Sequence, residues 1–272
     1  MVESLKRFVL ILVALSASPL LAEQFSMLPQ GLLGSKRTLV SAWLFNEGSG
    51  LFTQDSKVGS ASNLTNHGDL LSGPAWVTGL HGYALNFSAT NSRVEVRNEA
   101  QFDFMTLTST WTLFVSYKTT KLFAGIIFSK IGTFSDIGFY ISGEADAAGD
   151  LALTANQGGI TGWRTSVVPL AEVGGNQSRV MAFDYCATKE GGFLNTLRVF
   201  NNSKLLTQTV NFTEPKTGSI ANDNLAVIAG WDNGTSTSFN GTIDMVALYR
   251  GDGQGPLTLG EYRAIEARIL GR

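Results

Sequence analysis

From residue 38 onward the chain alternates apolar and polar positions in short runs broken by Gly, Asn, Asp and Ser. "LVSAWLFN", "YALNF", "SRVEV", "TSTWTLFVSYKTT", "AGIIFSK", "IGFYIS", "DLALTAN", "RTSVVPL", "RVMAFDYCAT", "NTLRVFNN", "LLTQTVNF", "NLAVIAGW" and "GTIDMVALYR" each carry the period-2 pattern of a strand. Many short strands joined by turn residues predict an all-β sandwich or barrel of antiparallel strands. In "TLRVFNNSKLLTQTV" the residues Asn201 to Lys204 supply a hairpin turn. Only the end reads as helical. In "TLGEYRAIEARIL", Thr258 and Glu261 stand at capping-box spacing, and Leu259, Tyr262, Ile265, Ile269 and Leu270 form a stripe able to dock on the sandwich.

One strand breaks the pattern. In "FNGTIDMVALYRG", Phe239 to Gly251, strict alternation puts Ile243, Met245, Ala247 and Tyr249 on one face and Asp244 with Val246 and Leu248 on the other. A carboxylate then shares a face with apolar residues and requires a partner.

The first residues have a different pattern. Lys6 and Arg7 precede the apolar run "FVLILVALSASPLLA", which ends in small residues before Glu23 and Gln24. This is the layout of a secretory signal peptide over residues 1–22, cleaved after Ala22; an uncleaved anchor is disfavoured because Ser16, Ser18 and Pro19 interrupt the run. Residues 23–37 lack a sustained period and read as a linker or N-terminal extension, with Lys36 and Arg37 as a solvated basic pair or a processing site. The domain then runs over residues 38–272.

Composition narrows the partners. The 272 residues carry a net charge of -2 with 15% charged residues, which argues against a nucleic-acid surface. After signal removal no membrane segment is expected. Cys186 is the only cysteine, so no intrachain disulfide exists, and its strand context reads as a half-buried packing residue.

A resemblance emerges from the order of several motifs: Trp43, Phe45, Asn46, Glu47, Gly48 and Gly50 followed by Asp55 and Ser56; then Gly82, Ala84, Leu85 and Phe87; then Gly241, Ile243, Asp244, Val246, Leu248, Tyr249 and Glu261. Together they resemble concanavalin A-like lectin/glucanase domains of the laminin-G-like type. The resemblance spans nearly all of residues 38–272. It departs at Ser116-Tyr117, where the family has Trp-Val, and at Phe87 to Ala89, where the family has Phe-Asp-Gly. It implies a two-sheet antiparallel jelly-roll sandwich with first and last strands adjacent, plus the short C-terminal helix, and a secreted, non-catalytic module that binds glycan or an extracellular protein. It also implies one structural calcium (Ca2+) held by Asn46 or Glu47 together with Asp244. The alternative is that Asp244 accepts backbone N–H bonds from a neighbouring turn.

The chemistry read from the residues is sparse. Glu144 and Asp146 are the only closely spaced acids that could suggest a glycosidase, but "SGEADAAGD" reads as a hairpin loop and does not supply the strand-borne carboxylate pair that mechanism needs. His67 and His81 lie in turn-like segments without a nucleophile motif. No enzyme is expected. Trp163, and Trp231 with Asp232 and Asn233, stand among Gly, Asn and Thr as sugar-stacking rings do, and are the candidate ligand-binding residues. Sequons at Asn63, Asn86, Asn176, Asn201, Asn211, Asn233 and Asn240 exceed the about three that chance placement would give, which is consistent with a glycoprotein. The competing expectation is a structural protein that self-assembles through residues 23–37 into a surface layer or filament.

Overall fold

The computed structural model describes residues 37–56, 66–106, 109–119, 125–132, 137–143, 150–156, 163–169, 175–186, 196–206, 222–231, 239–251 and 255–271. The signal segment, residues 23–36, Glu144, Asp146, Asn63, Asn211, Asp232 and Asn233 lie outside them.

The described strands form two antiparallel sheets. The first contains β1 (Thr38–Trp43), β4 (Ala75–Gly79), β5 (Gly82–Asn86), β7 (Trp111–Thr119), β12 (Gly175–Cys186), β13 (Thr196–Asn201), β14 (Lys204–Leu205) and β16 (Thr242–Arg250). Its order is β14-β13-β12-β7-β16-β5-β4, with β1 also paired to β16. The second contains β2 (Phe52–Thr53), β3 (Gly68–Leu71), β6 (Arg93–Val96), β8 (Gly125–Lys130), β9 (Gly138–Gly143), β10 (Asp150–Asn156), β11 (Trp163–Pro169) and β15 (Ala226–Ile228), in the order β11-β10-β9-β8-β15-β6-β3-β2. One helix, α1 (Leu259–Ile269), follows the last strand. The chain is therefore a β-sandwich with a short C-terminal helix. The expected neighbours, first and last strand, pair from Thr38↔Arg250 to Trp43↔Val246.

Alternation sorts the side chains into two cores. Trp111, Leu113, Val115 and Tyr117 of β7 and Met181, Phe183 and Tyr185 of β12 point between the sheets, where they meet Val94, Val96, Phe128, Phe139, Ile141 and Ile228. The opposite positions, Phe114, Val180 and Ala182, face outward beneath Tyr262, Ile265 and Ile269 of α1. Each of the larger aliphatic and Phe side chains removed from water contributes about 1.5–3 kcal/mol. The first sheet is thus covered on both faces over the part that α1 reaches, which is why its strands read as nearly continuous apolar runs.

Turn chemistry and caps follow the sequence closely. Asn202 and Ser203 both have positive φ (49° and 59°), the signature of a tight two-residue hairpin turn between β13 and β14. Thr258 and Glu261 form the reciprocal capping box at the start of α1. Glu266, which the apolar stripe does not include, is buried and accepts hydrogen bonds from Tyr262 Oη (2.8 Å) and Ser203 N (3.0 Å), fastening the helix to that hairpin.

Buried polar clasps hold the chain ends. Asp55 accepts from Ala42 N (2.9 Å) and Asn66 Nδ2 (2.9 Å), Asn66 also donates to Ser41 Oγ (3.0 Å), and Trp43 Nε1 donates to Asn66 O (2.9 Å). Arg37, expected as part of a solvated pair, is buried instead and bonded to Asp184 of β12. Asp184 is fully buried and also accepts from Thr112 Oγ1 (2.7 Å) and Leu257 N (2.6 Å). Spacing along the sequence cannot register such a contact, since Arg37 and Asp184 are 147 residues apart. Cys186 carries no disulfide and is buried outright, more deeply than the half-buried position expected of it.

Candidate functional site

Asp244 does not share a face with Val246 and Leu248, as strict alternation predicts. Against β7 the register runs Ile243↔Tyr117 and then Met245↔Ser116, so Asp244 is the extra residue of a β-bulge. The bulge inverts the phase of the strand. Ile243 joins Val246 and Leu248 between the sheets, whereas Met245, Ala247 and Tyr249 pack outward beneath α1. Thr242 and Asp244 are left on the outer face, before the apolar stripe begins.

On that outer face a polar row crosses three strands. Thr242 of β16 is paired on one side with Asn86 of β5 and on the other with Lys118 of β7. Adjacent strands stand about 4.8 Å apart, so these three side chains are lateral neighbours. With Asp244, Ser178 and Asn240 they line a cleft of ≈ 580 Å³, in the size range of small-ligand sites. One wall comes from Val77, Gly79 and Leu80 at the β4–β5 turn.

Asp244 is 7% exposed. Its Oδ1 accepts from Leu80 N at 2.6 Å. Gly79 permits this approach, because a Cβ at that position would stand 2.7 Å from Asp244 Oδ1 and 2.6 Å from Tyr83 O. Burial raises the Asp244 carboxyl above its ordinary range, and the Leu80 N–H, His81 and Lys118 oppose that rise. His81 is fixed nearby by donating from Nε2 to Ile269 O at the end of α1. Among the described residues Oδ2 of Asp244 has no hydrogen-bond partner, so one oxygen of a desolvated carboxylate remains available to a ligand.

The residues expected to bind metal are engaged separately. Glu47 Oε1 accepts from Gln54 N (2.6 Å) and Thr53 Oγ1 (3.1 Å) within its own loop, while Asp244 bonds the β4–β5 turn. Asn46 lies half-buried just beyond β1. Among the described residues no group of three or more His, Cys, Asp or Glu side chains is placed to hold a metal ion. Asp244 makes the contact of the alternative arrangement, accepting the backbone N–H of Leu80 in a turn.

The residues expected to stack on sugar lie on the other sheet. Trp231 is 3% exposed and packs on Tyr140, at 4.8 Å between ring centroids, with Ile126 and Ile131 on the second sheet. It packs against the second sheet, opposite the cleft. Trp163 opens β11, the edge strand of the second sheet, paired with Ala155. The structure therefore does not bring Trp163 and Trp231 to the cleft.

The sequons divide by location. Asn201 is fully buried and hydrogen-bonded to Tyr117, so the folded chain cannot carry a glycan there. Asn176 lies within β12. Asn86 and Asn240 both line the cleft. His67 is buried and stacks on Phe52, with 6.1 Å between centroids, in a packing role. Sequence reasoning passed over Lys118 and Ser178. Lys118 was visible as the one charge in "WTLFVSYKT", but its partners belong to strands far away in sequence.

No protein-family model and no curated protein matches the chain. Solved structures resemble it in fold. Domain 4 of AbnA, an extracellular arabinanase from Geobacillus stearothermophilus solved in complex with arabinotriose, superposes with a TM-score of 0.52 at 17% identity, covering 85% of this chain and 99% of that domain. A Trypanosoma rangeli sialidase, with 2,3-difluorosialic acid as a covalent intermediate, gives a TM-score of 0.52 at 12% identity over 84% of this chain, which spans 33% of the sialidase. The sialidase carbohydrate-binding module from Ruminococcus gnavus gives a lower TM-score of 0.46 at 18% identity, covering 67% of this chain and 96% of the module. The first two share the sandwich architecture with this chain.

Proposed function

We propose that this chain is a secreted, non-catalytic carbohydrate-binding module whose binding surface is the cleft on the outer face of the first sheet. The observation that carries the reading is the polar row Asn86–Thr242–Lys118, joined by Asp244, at the floor of a ≈ 580 Å³ cleft. Amide, hydroxyl, ammonium and carboxylate groups offer the donors and acceptors that read sugar hydroxyls, and a β-sheet holds them in fixed register. A fold likeness to a domain solved in complex with arabinotriose supports the same reading. Among the described residues the cleft pairs one carboxylate with one ammonium and has no second acid in its lining, whereas most glycosidases flank the scissile bond with two carboxyl groups. The apolar run and small-residue end of residues 1–22 support export, and the described residues contain no helix long and apolar enough to cross a membrane.

A glycan array probed with the purified domain tests the reading. Binding that Lys118→Met and Thr242→Val each weaken, with the melting temperature preserved, supports the cleft. A bound glycan indifferent to both substitutions would move the site elsewhere.

A further inference from the structure

The charges in the cleft identify the class of sugar. Among the described lining side chains only Lys118 and Asp244 are charged, and they are opposite in sign. Recognition of an anionic sugar relies on an unopposed cation, most often the fork of an arginine, which binds a carboxylate through two parallel hydrogen bonds. Among the described residues no arginine lines the cleft, and any carboxylate brought to Lys118 would also meet Asp244. A neutral sugar meets the opposite situation. An ionised carboxylate accepts hydrogen bonds from hydroxyls, and an ammonium donates to hydroxyl or ring oxygens, each more strongly than a neutral group does.

Asp244 is also held at a cost to the fold. It is buried, its charged form is disfavoured by that burial, and among the described residues it receives a single hydrogen bond, through Oδ1 from Leu80. A carboxylate used only as a structural clasp in this chain looks different: Asp184 is satisfied by Arg37, Thr112 and Leu257 together, and Asp55 by Ala42 and Asn66. Asp244 sits at a bulge that turns it out of the apolar stripe and into the cleft, as bulges beside binding sites do.

We infer that the cleft binds neutral polyhydroxylated sugars and discriminates against anionic ones, with Oδ2 of Asp244 accepting from sugar hydroxyls and Lys118 Nζ donating to a neighbouring sugar oxygen. This rests on the reading of the cleft as a glycan site.

The test uses the chain without its signal segment, produced in a bacterium so that Asn86 and Asn240 stay unmodified. Calorimetry compares neutral arabino- and xylo-oligosaccharides with sialyllactose and oligogalacturonate at neutral pH. The expected result is binding of a neutral oligosaccharide at least about tenfold tighter than any acidic one, the ratio given by one well-formed charged hydrogen bond. Asp244→Asn keeps an oxygen for the Leu80 N–H and is expected to weaken neutral-sugar binding by about tenfold while the melting temperature holds or rises. Tighter binding of the acidic sugars, or an Asp244→Asn variant that binds neutral sugars as well as the parent, overturns the inference and leaves a glycan module intact. Failure of every sugar of both classes to bind removes the glycan reading and this inference together.

Discussion

Arg37 and Asp184 form a buried ion pair, 2.9 Å between guanidinium nitrogen and carboxylate oxygen, which anchors the entry of the domain to the middle of its first sheet. The carboxylate is further held by Thr112 and Leu257, and the guanidinium by Gly255 O. Removing one member of such a pair leaves an uncompensated buried charge. Asp184→Ala is expected to cost about 3–5 kcal/mol of unfolding free energy, while the double substitution Arg37→Met with Asp184→Leu loses much less. Urea denaturation of the three proteins measures both values.

Trp231 is a second stability position and gives the opposite expectation from a sugar-stacking ring. Trp231→Ala opens a hole against Tyr140, Ile126 and Ile131 and is expected to destabilise by about 3–5 kcal/mol. Glycan affinity of the folded fraction should be unchanged, as read by calorimetry well below the melting temperature.

The pH dependence of stability reports on Asp244. Its carboxyl is raised in the fold by burial, so the native state holds the proton more tightly than the unfolded chain does. Stability attributable to this group therefore falls as pH rises from the unfolded value, about 3.9, through the raised folded value, and the penalty is complete above it. Asp244→Asn removes that penalty. The difference in unfolding free energy between variant and parent is expected to grow in the variant's favour across this interval, then level off, in denaturant titrations taken at successive pH values.

Asn86 and Asn240 make the cleft sensitive to its own modification. A glycan linked to Asn240, an exposed residue at the rim, would stand in the cleft. Protein made in a eukaryotic secretory host is expected to bind sugar more weakly than bacterial protein, and Asn240→Gln to recover part of the loss. Mass spectrometry of the same samples scores occupancy.

Calcium gives a further contrast. Glu47 and Asp244 are bonded to separate backbone turns, so chelation with EDTA is expected to leave the melting temperature unchanged. A fall of several degrees would restore the calcium clasp implied by the laminin-G-like resemblance.

Much of the fold was legible along the chain because the relevant forces are local or periodic. The period-2 runs locate most of the longer strands, and the Asn202-Ser203 turn and the Thr258/Glu261 capping box depend on residues within a few positions of one another. The strands β2, β3 and β4 were not legible. They are short, and "GDLL" and "AWVTG" have the half-exposed pattern of loops until a neighbouring strand supplies their hydrogen bonds.

The site was legible only in its one anomalous residue. Asp244 stood out because a carboxylate among apolar positions needs an explanation, but its face was misassigned, since a bulge adds one residue without leaving a mark in the alternation. The Trp residues drew attention by composition, and composition cannot tell a ring that stacks on sugar from one that stacks on Tyr140.

The sequence by itself determined that this chain builds a β-sandwich closed by a capped helix, because alternation, turn chemistry and capping act over a few residues. Only the tertiary structure decided what the acid of the last strand is for. Asn86, Thr242 and Lys118 lie far apart in the chain and become neighbours through strand register alone, and register is a property of the assembled sheet.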